Sequence, residues 1–213
     1  MRNLMILFPA RNEADGLSVV VDMIPTAELQ RLGWNHRMVP VDRHSTDGTA
    51  EEAWRLGMEV FAQQGEIGKG VGLREAVDHF LASGDEALVM LDPDGTYDAR
   101  DMPLLLNRMD NSDYDVVIGS RLRGKMDDGA MGRVNYVGNH ILTWTAVALF
   151  RHFISDLCTG FWAFKREAIA AMHLNSIAFE IEAEMYAASC HNKLQIGEVP
   201  IHYHCRIGSA KLG

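Results

Sequence analysis

The stretch LVMLDPDGTYD, residues 88–98, decides the fold of this chain. Four apolar residues lead directly into two aspartates, Asp92 and Asp94, and a glycine follows. A short continuous apolar run of this kind is typical of a strand that is buried on both faces. Residues i and i+2 of an extended chain point the same way, about 6–7 Å apart. Because adjacent carboxylates repel each other and hard divalent cations prefer oxygen ligands, we predict a metal site at Asp92 and Asp94.

Strand and helix patterns alternate around this stretch, with short connections between them. Strands are predicted at 4–8, 36–41, 59–62, 87–91 and 116–119. Helices are predicted at 17–24, 49–56, 71–82 and 101–108, the last with Asp101 as its N-cap. The alternation predicts an α/β fold in which a mostly parallel central sheet carries helices on both faces.

The pattern changes after Gly119. Residues 121–133 are rich in Gly, Asp, Lys and Arg and predict a mobile loop. A long apolar helix is predicted at 136–153, then a short segment at 161–164, helices from 167 and at 182–190, and a strand at 196–203. We see no repeat, low-complexity tract or linker, so we predict a single domain.

Composition limits the classes of function. A net charge of −9 over 213 residues argues against a nucleic-acid partner, which normally meets a basic face. The three cysteines form no C-x-x-C pair, which suits a reducing compartment. The longest apolar candidate, 141–150, is shorter than the roughly 20 residues that a spanning helix needs. We therefore predict a cytoplasmic protein that is soluble or peripheral to the cytosolic face of a membrane.

Polar clusters follow three of the predicted strands, at 11–13, 42–49 and 92–94. Ligands of open α/β sheets bind at the carboxyl ends of the strands, so the three clusters predict one ligand site. There is no G-x-G-x-x-G after the first strand and no Walker motif, which disfavours dinucleotide oxidoreductases and P-loop NTPases. The segment Gly68-Lys69-Gly70 fits a phosphate contact or a tight turn equally well.

His202 and His204 raise the question of a zinc site, because residues i and i+2 of a strand share one face. No second ligand pair of suitable spacing is visible in the sequence. An exposed strand face is therefore the favoured interpretation.

Eight motifs occur in a fixed order along the chain. They are PARNE (9–13), DRHSTDGT (42–49), GKG (68–70), DPDGTYD (92–98), GSR (119–121), DLCTGFWAFKRE (156–167), FEIE (179–182) and EVPIHYHCRIGSAKL (198–212). Together they resemble family 2 glycosyltransferases. Within that family the chain is most similar to the dolichyl- or polyprenyl-phosphate mannosyl- and glucosyltransferase branch.

The resemblance implies a GT-A-type nucleotide-sugar fold, inversion at the anomeric carbon, and Mg²⁺ or Mn²⁺ held by Asp92 and Asp94. It implies one glycosyltransferase domain over 1–213, with a nucleotide-sugar-binding half at 1–120 and an acceptor-binding half at 121–213. The residues that match the donor site are Pro9, Ala10, Asn12, Glu13, Asp42, Lys69, Asp92, Pro93 and Asp94.

The implied acceptor is a polyprenyl phosphate, which is already an anion and needs charge compensation rather than a base. The residues that match the acceptor site are Arg121, Arg133, Asp156, Arg206 and Lys211. The catalytic set implied is Asp94, Arg121, Arg133 and Arg206. A soluble hydroxyl acceptor would instead need a general base, with Glu182, Glu180 and Asp156 as candidates. A catalytically silent nucleotide-sugar binder is the third alternative.

One departure from the family pattern concerns the nucleotide. Where D-D-G-S-x-D-G-T is usual, this chain has Arg43 and His44 in place of the second Asp and the Gly. The choice between a GDP- and a UDP-hexose therefore stays open. The apolar helix at 136–153 is expected in the core, with peripheral membrane contact as the alternative if its aromatic residues face outward.

Overall fold

The strand that carries the aspartates lies at the centre of a seven-stranded sheet. The computed structural model describes residues 1–66 and 68–208. The strands are β1 (Arg2–Ala10), β2 (Trp34–Asp42), β3 (Phe61–Ala62), β4 (Ala87–Met90), β5 (Val116–Met126), β6 (Trp162–Lys165) and β7 (Ile196–Tyr203). Their order across the sheet is β3-β2-β1-β4-β6-β5-β7. All four residues of β4 are buried, as the apolar run predicts.

The sheet is mostly parallel, and β6 is the strand that departs from this. It lies between β4 and β5 and pairs antiparallel with both, with Phe164 opposite Leu88 on one side and Val116 on the other. The remaining pairs are parallel. The predicted α/β class and mostly parallel sheet are confirmed.

Helices cover both faces of the sheet. They are α1 (Ala14–Asp22), α2 (Thr26–Arg31), α3 (Thr49–Arg55), α4 (Lys69–Ala82), α5 (Met102–Asn111), α6 (Arg133–Phe150), α7 (Arg166–Ala170) and α8 (Ile181–His191). Side chains alternate along β1, so Leu4 and Ile6 pack in one core and Met5 and Leu7 in the other. The first core includes residues of α1, α3 and α5, and the second includes residues of α4, α7 and α8.

The prediction of a mobile loop at 121–133 is wrong over its first half. Strand β5 continues to Met126, and its register with β7 shifts between Ser120 and Lys125. The second half of β5 is polar and contains glycine because it lies near the surface, where a strand needs no apolar alternation. The sequence pattern therefore did not predict it. The helix that follows begins earlier than predicted, at Arg133.

Asp101 is the N-cap residue of α5, as predicted, but its side chain makes no capping hydrogen bond. Its carboxylate accepts a hydrogen bond from the backbone N–H of His202 at 2.7 Å. Asp98 caps the 3₁₀ turn Ala99–Asp101 that precedes α5, and its carboxylate accepts from the N–H of Arg100. Helix α2 was not predicted from the sequence.

Helix α6 is largely uncovered. Of its 18 residues, Thr143 and Ala146 are the buried ones. Large apolar side chains lie in solvent along it, with Val134 85%, Trp144 75% and Leu149 73% exposed. The expectation that this helix belongs to the core is therefore wrong. Within the described part of the chain, no helix combines the length and apolar character needed to cross a membrane.

Candidate active site

Asp92 leaves the end of β4 and is paired with a buried lysine. Its Oδ1 lies 2.9 Å from Nζ of Lys69, and the same Nζ lies 2.7 Å from Oε1 of Glu182. Burial alone would lower the pKa of Lys69, but Asp92 and Glu182 outweigh it and raise that pKa. Lys69 is therefore a fixed positive charge that orients the Asp92 carboxylate.

Asp94 and Glu13 share one arginine. Nη1 of Arg206 donates to Oδ2 of Asp94 at 2.7 Å, and Nη2 donates to Oε1 of Glu13. The backbone holds this contact in place, since the N–H of Ile207 donates to the Asp94 carbonyl at 2.9 Å. The other carboxylate oxygen of Asp94 accepts from the N–H of Thr96 at 3.0 Å. The chain's C-terminal segment thus closes on the aspartate pair.

The loops after β1 and β2 are joined by side-chain hydrogen bonds. Oδ1 of Asn12 accepts the N–H of Thr46 at 2.7 Å, and the N–H of Asn12 donates to Oγ of Ser45 at 2.9 Å. Asp42 accepts from the N–H of Ser45 at 3.3 Å. The N–H of Glu13 donates to Oγ1 of Thr49 at 2.9 Å. These bonds bring the first two predicted polar clusters together.

Three predicted donor-site residues lie in the buried backbone that surrounds the site. Pro9, Ala10 and Pro93 are all buried. The Ala10 carbonyl accepts the N–H of Arg43 at 3.0 Å. A Cβ on Gly16 would lie 2.4 Å from the Pro93 carbonyl oxygen, so this glycine permits α1 to approach the aspartate loop.

Arg43 lies among the donor-site charges. Burial lowers its pKa, against the attraction of Asp92. Its Nε is buried without a hydrogen-bond partner among residues 1–66 and 68–208. His44 is exposed and has a φ of +56°, a conformation that glycine adopts at little cost. That backbone conformation accounts for the glycine of the usual family pattern at this position.

The glycines of the segment 68–70 serve close packing. A Cβ on Gly68 would lie 2.2 Å from the Ile177 carbonyl oxygen, and one on Gly70 would lie 2.4 Å from that of Ser176. The N–H of Gly70 already donates to the Ile177 carbonyl at 3.0 Å. The geometry therefore favours the tight turn over the phosphate contact.

Arg121 and Asp156 form a buried bidentate ion pair. Nε and Nη2 of Arg121 donate to the two oxygens of Asp156 at 2.8 and 2.7 Å. Their side chains are 7% and 0% exposed. Burial would lower the pKa of Arg121, but Tyr97 and Asp156 hold it well above its usual range. The Arg121 guanidinium also lies 5.3 Å from the ring centroid of Tyr203.

The other predicted residues have different surroundings. Arg133 is exposed at the first position of α6. Glu182 is buried and paired with Lys69, so it is not a free carboxylate. Lys211 lies outside the described residues. Sequence reasoning did not anticipate the contacts of Lys69 and Arg206, whose partners lie 113 and 193 positions away.

The carboxylates of Asp92 and Asp94 fit a hard divalent cation. They are oxygen donors at the end of one strand, and each has a cationic neighbour that offsets its charge. Gly160 keeps space beside one of them, since a Cβ there would lie 2.2 Å from Oδ2 of Asp92. The N–H of Gly160 is held by Oη of Tyr97 at 2.6 Å.

We expect Gly160→Ala to weaken divalent-metal binding at Asp92 and Asp94. The methyl group must displace the Asp92 carboxylate, a strain of about 1–3 kcal/mol, or about 10- to 100-fold in affinity. Titration with Mn²⁺ measures the change. Gly84→Ala, where a Cβ meets no atom within 4 Å, is the matched control. Equal affinity in the two variants would contradict the role of Gly160.

The sheet and its paired aspartates define a class, the GT-A nucleotide-sugar fold. A solved structure with this fold, glucosyl-3-phosphoglycerate synthase from Mycobacterium tuberculosis in complex with Mn²⁺ and UDP-glucose, aligns with a TM-score of 0.75. It is 19% identical, and the alignment covers 99% of this chain and 72% of that one. Residues 5–172 match the model of glycosyl transferase family 2, and the chain belongs to this family.

Three archaeal proteins are similar to nearly the whole chain. Glycosyltransferase AglJ of Haloferax volcanii is 37% identical over 94% of this chain. The low-salt glycan biosynthesis hexosyltransferase Agl6 of the same organism is 33% identical over 98% of it. This chain spans 63% and 49% of their lengths. A dolichyl-phosphate hexose transferase, also from Haloferax volcanii, is 29% identical over 99% of this chain and 86% of its own length.

Proposed function

We propose that this chain transfers a hexose from a GDP- or UDP-linked donor to a polyprenyl (dolichyl-type) phosphate, with inversion at the anomeric carbon. Residues 1–213 act as one glycosyltransferase domain, with a donor half at 1–120 and an acceptor half at 121–213. The observation that carries the proposal is the pairing of Arg206 with both Asp94 and Glu13. It joins a cation of the acceptor half to the carboxylates of the donor half. One site can therefore bind the phosphates of the nucleotide donor and the phosphate of the lipid acceptor.

On the donor side, Asp92 and Asp94 hold Mg²⁺ or Mn²⁺. Such an ion would offset the negative charge that develops on the departing nucleotide diphosphate. Lys69 orients the Asp92 carboxylate through its 2.9 Å contact. Glu13 and Asp42 lie where the first two loops meet and bind the nucleoside. The Mn²⁺ and UDP-glucose of the mycobacterial structure support this assignment.

On the acceptor side, the lipid phosphate attacks as an anion. Arg121 is locked in one orientation by Asp156, and arginine forks bind phosphate oxygens bidentately. Arg206, Arg133 and Lys211 supply further positive charge. Glu182 is committed to Lys69, which favours a phosphate acceptor over a hydroxyl that would need a base. The name of the dolichyl-phosphate hexose transferase supports the same acceptor class.

Helix α6 brings the site to the cytosolic face of the membrane where the lipid resides. Trp144 is 75% and Ile141 61% exposed, and Phe153 beyond the helix is 73% exposed. Exposed Arg133 and Arg151 flank the helix and suit anionic headgroups, although the chain as a whole is acidic. An apolar surface of this extent on one helix marks an interaction site.

We expect the double substitution Ile141→Glu and Trp144→Glu to weaken binding to liposomes that contain anionic lipid. Each side chain contributes about 1.5–3 kcal/mol when it is buried in an apolar phase, so the expected loss is about 100-fold or more. Co-sedimentation measures it. Trp54→Glu on α3, where the side chain is 61% exposed, is the matched control. Equal binding by the control and the double variant would contradict a role of α6.

Transfer assays test the function. The protein is incubated with GDP- or UDP-hexoses, Mg²⁺ or Mn²⁺, and either a short polyprenyl phosphate or the corresponding polyprenol. We expect product with the phosphate only, and none in the presence of a chelator. Transfer to a soluble hydroxyl acceptor would contradict the lipid-phosphate acceptor if Glu182→Gln abolished that transfer and left donor binding intact. Glu182 would then be the general base. Metal-dependent donor binding without turnover on any acceptor would overturn the proposal in favour of a silent binder.

A further inference from the structure

A second group of metal-ligating side chains lies beside the active site, and we call it the His–Asp cluster: Asp98, Asp127, His202 and His204. Asp98, His202 and His204 each offer a ligand atom within 4.8 Å of those of the other two. The four residues come from three segments: the loop after β4, the end of β5 and the end of β7. No sequence motif joins them, since Asp98 and His204 are 106 positions apart.

Asp127 holds both imidazoles by one nitrogen each. Its Oδ1 lies 2.8 Å from Nε2 of His202, and its Oδ2 lies 2.8 Å from Nδ1 of His204. A carboxylate that accepts a hydrogen bond from one ring nitrogen leaves the other nitrogen with a lone pair for a metal. For His204 that nitrogen is Nε2, which lies 3.3 Å from Oδ2 of Asp98.

The backbone fixes the positions of these residues. The N–H of Asp127 donates to the Tyr203 carbonyl at 2.9 Å, and the N–H of Asp98 donates to the His202 carbonyl at 3.3 Å. The N–H of His204 donates to the Thr96 carbonyl at 2.7 Å. The side chains remain reachable from solvent, with His202 23% and His204 24% exposed. The cluster is thus both preorganised and open to an entering ion.

Asp98 supplies an anionic oxygen. Its Oδ1 and Oδ2 accept hydrogen bonds from Nε and Nη2 of the exposed Arg100 at 2.7 and 2.6 Å. Two imidazoles and a carboxylate are a known ligand set for Zn²⁺. Ligand atoms around tetrahedral Zn²⁺ are about 3.3 Å apart, so the ligand atoms must approach one another by at most about 1.5 Å.

We propose that His202, His204 and Asp98 bind a transition-metal ion of the Zn²⁺ class, with Asp127 positioning both imidazoles. This site is separate from the aspartate pair, because Asp94 faces Arg206 rather than the histidines. The ion links the loop that carries Asp92 and Asp94 to the ends of β5 and β7. Its role is structural: it fixes the donor half against the segment that carries Arg206. The proposal does not depend on sugar transfer.

The test is metal binding by the untagged, metal-stripped protein. Zn²⁺ is titrated by calorimetry, and Co²⁺ is added as an optical probe whose visible absorption reports tetrahedral coordination. We expect one ion per chain, at least 100-fold weaker binding in His204→Gln, and loss of the Co²⁺ absorption band. Asp127→Asn leaves the ligands in place and is expected to weaken binding by about 10- to 100-fold.

Two variants separate this site from others. His173→Gln changes an exposed histidine outside the cluster, and Asp94→Asn changes the aspartate pair. Both are expected to retain the Zn²⁺ affinity and the Co²⁺ band. Absence of binding by the parent protein overturns the proposal, as does unchanged affinity in His204→Gln or loss of binding in Asp94→Asn. If circular dichroism shows His204→Gln to be unfolded, Asp127→Asn decides: unchanged affinity there overturns the proposal.

Discussion

Asp94→Asn is expected to abolish metal-dependent donor binding and with it hexose transfer. The substitution removes one of two paired carboxylates, and a bound metal contributes several kcal/mol to the stabilisation of charge on a leaving group. A loss of about 3–4 kcal/mol corresponds to a fall of about 10²- to 10³-fold in the rate of transfer. Calorimetry with the nucleotide-sugar and Mn²⁺, together with initial rates, measures both effects.

The matched control is Asp78→Asn, which removes the same charge from an exposed position of α4. Its expected effect on rate and on Mn²⁺ affinity is negligible. Asn at position 94 also leaves Arg206 with Glu13 as its carboxylate partner among the contacts described above. A variant that keeps full metal dependence and normal turnover would remove Asp94 from the site.

Asp156→Asn is expected to cost about 3–5 kcal/mol of the free energy of unfolding, because it leaves the Arg121 guanidinium buried beside a neutral group. The pair is bidentate, and both side chains are nearly or fully excluded from solvent. Urea denaturation measures the change. Arg121 also loses the contact that fixes its orientation, so the KM for the lipid phosphate should rise in whatever fraction remains folded.

The control for this second prediction is an equally bidentate pair at the surface. Arg2 donates to both oxygens of Asp110 at 2.7 and 2.6 Å, and the two side chains are 40% and 24% exposed. Asp110→Asn is expected to cost about 0–1 kcal/mol, since solvent takes over the hydrogen bonds of a surface pair. Similar losses of unfolding free energy in the two variants would show that burial does not determine how much the Arg121–Asp156 pair stabilises the fold.

The parts of the fold that could be predicted are the elements that a short stretch of sequence specifies by its apolar pattern. The apolar run that leads into Asp92 predicted a buried strand, and β4 is buried at each position. A strand was also predicted at 196–203, and β7 has these bounds. The antiparallel insertion of β6 between β4 and β5 could not be predicted, because four apolar residues carry no information about direction or neighbours.

The candidate site was likewise predictable in its residues but not in their tertiary contacts. The residue types and their order predicted which carboxylates and arginines to examine. The pairings of Lys69 with Glu182 and of Arg206 with Glu13 depend on tertiary contacts across most of the chain. The histidine pair was visible in the sequence, but its carboxylate neighbours Asp98 and Asp127 come from distant segments. Local patterns identified candidates, and topology decided their partners.

The contact between Arg206 and Glu13 has a consequence for biosynthesis. The two residues are 193 positions apart, so Glu13 leaves the ribosome well before the arginine that pairs with it. A nascent chain on the ribosome can assemble β1, β2 and β4 long before residue 206 emerges. During that interval Glu13 and Asp94 lack the guanidinium that neutralises them. The contact of Arg206 with Glu13 and Asp94 therefore forms only after the segments that carry both carboxylates have been made.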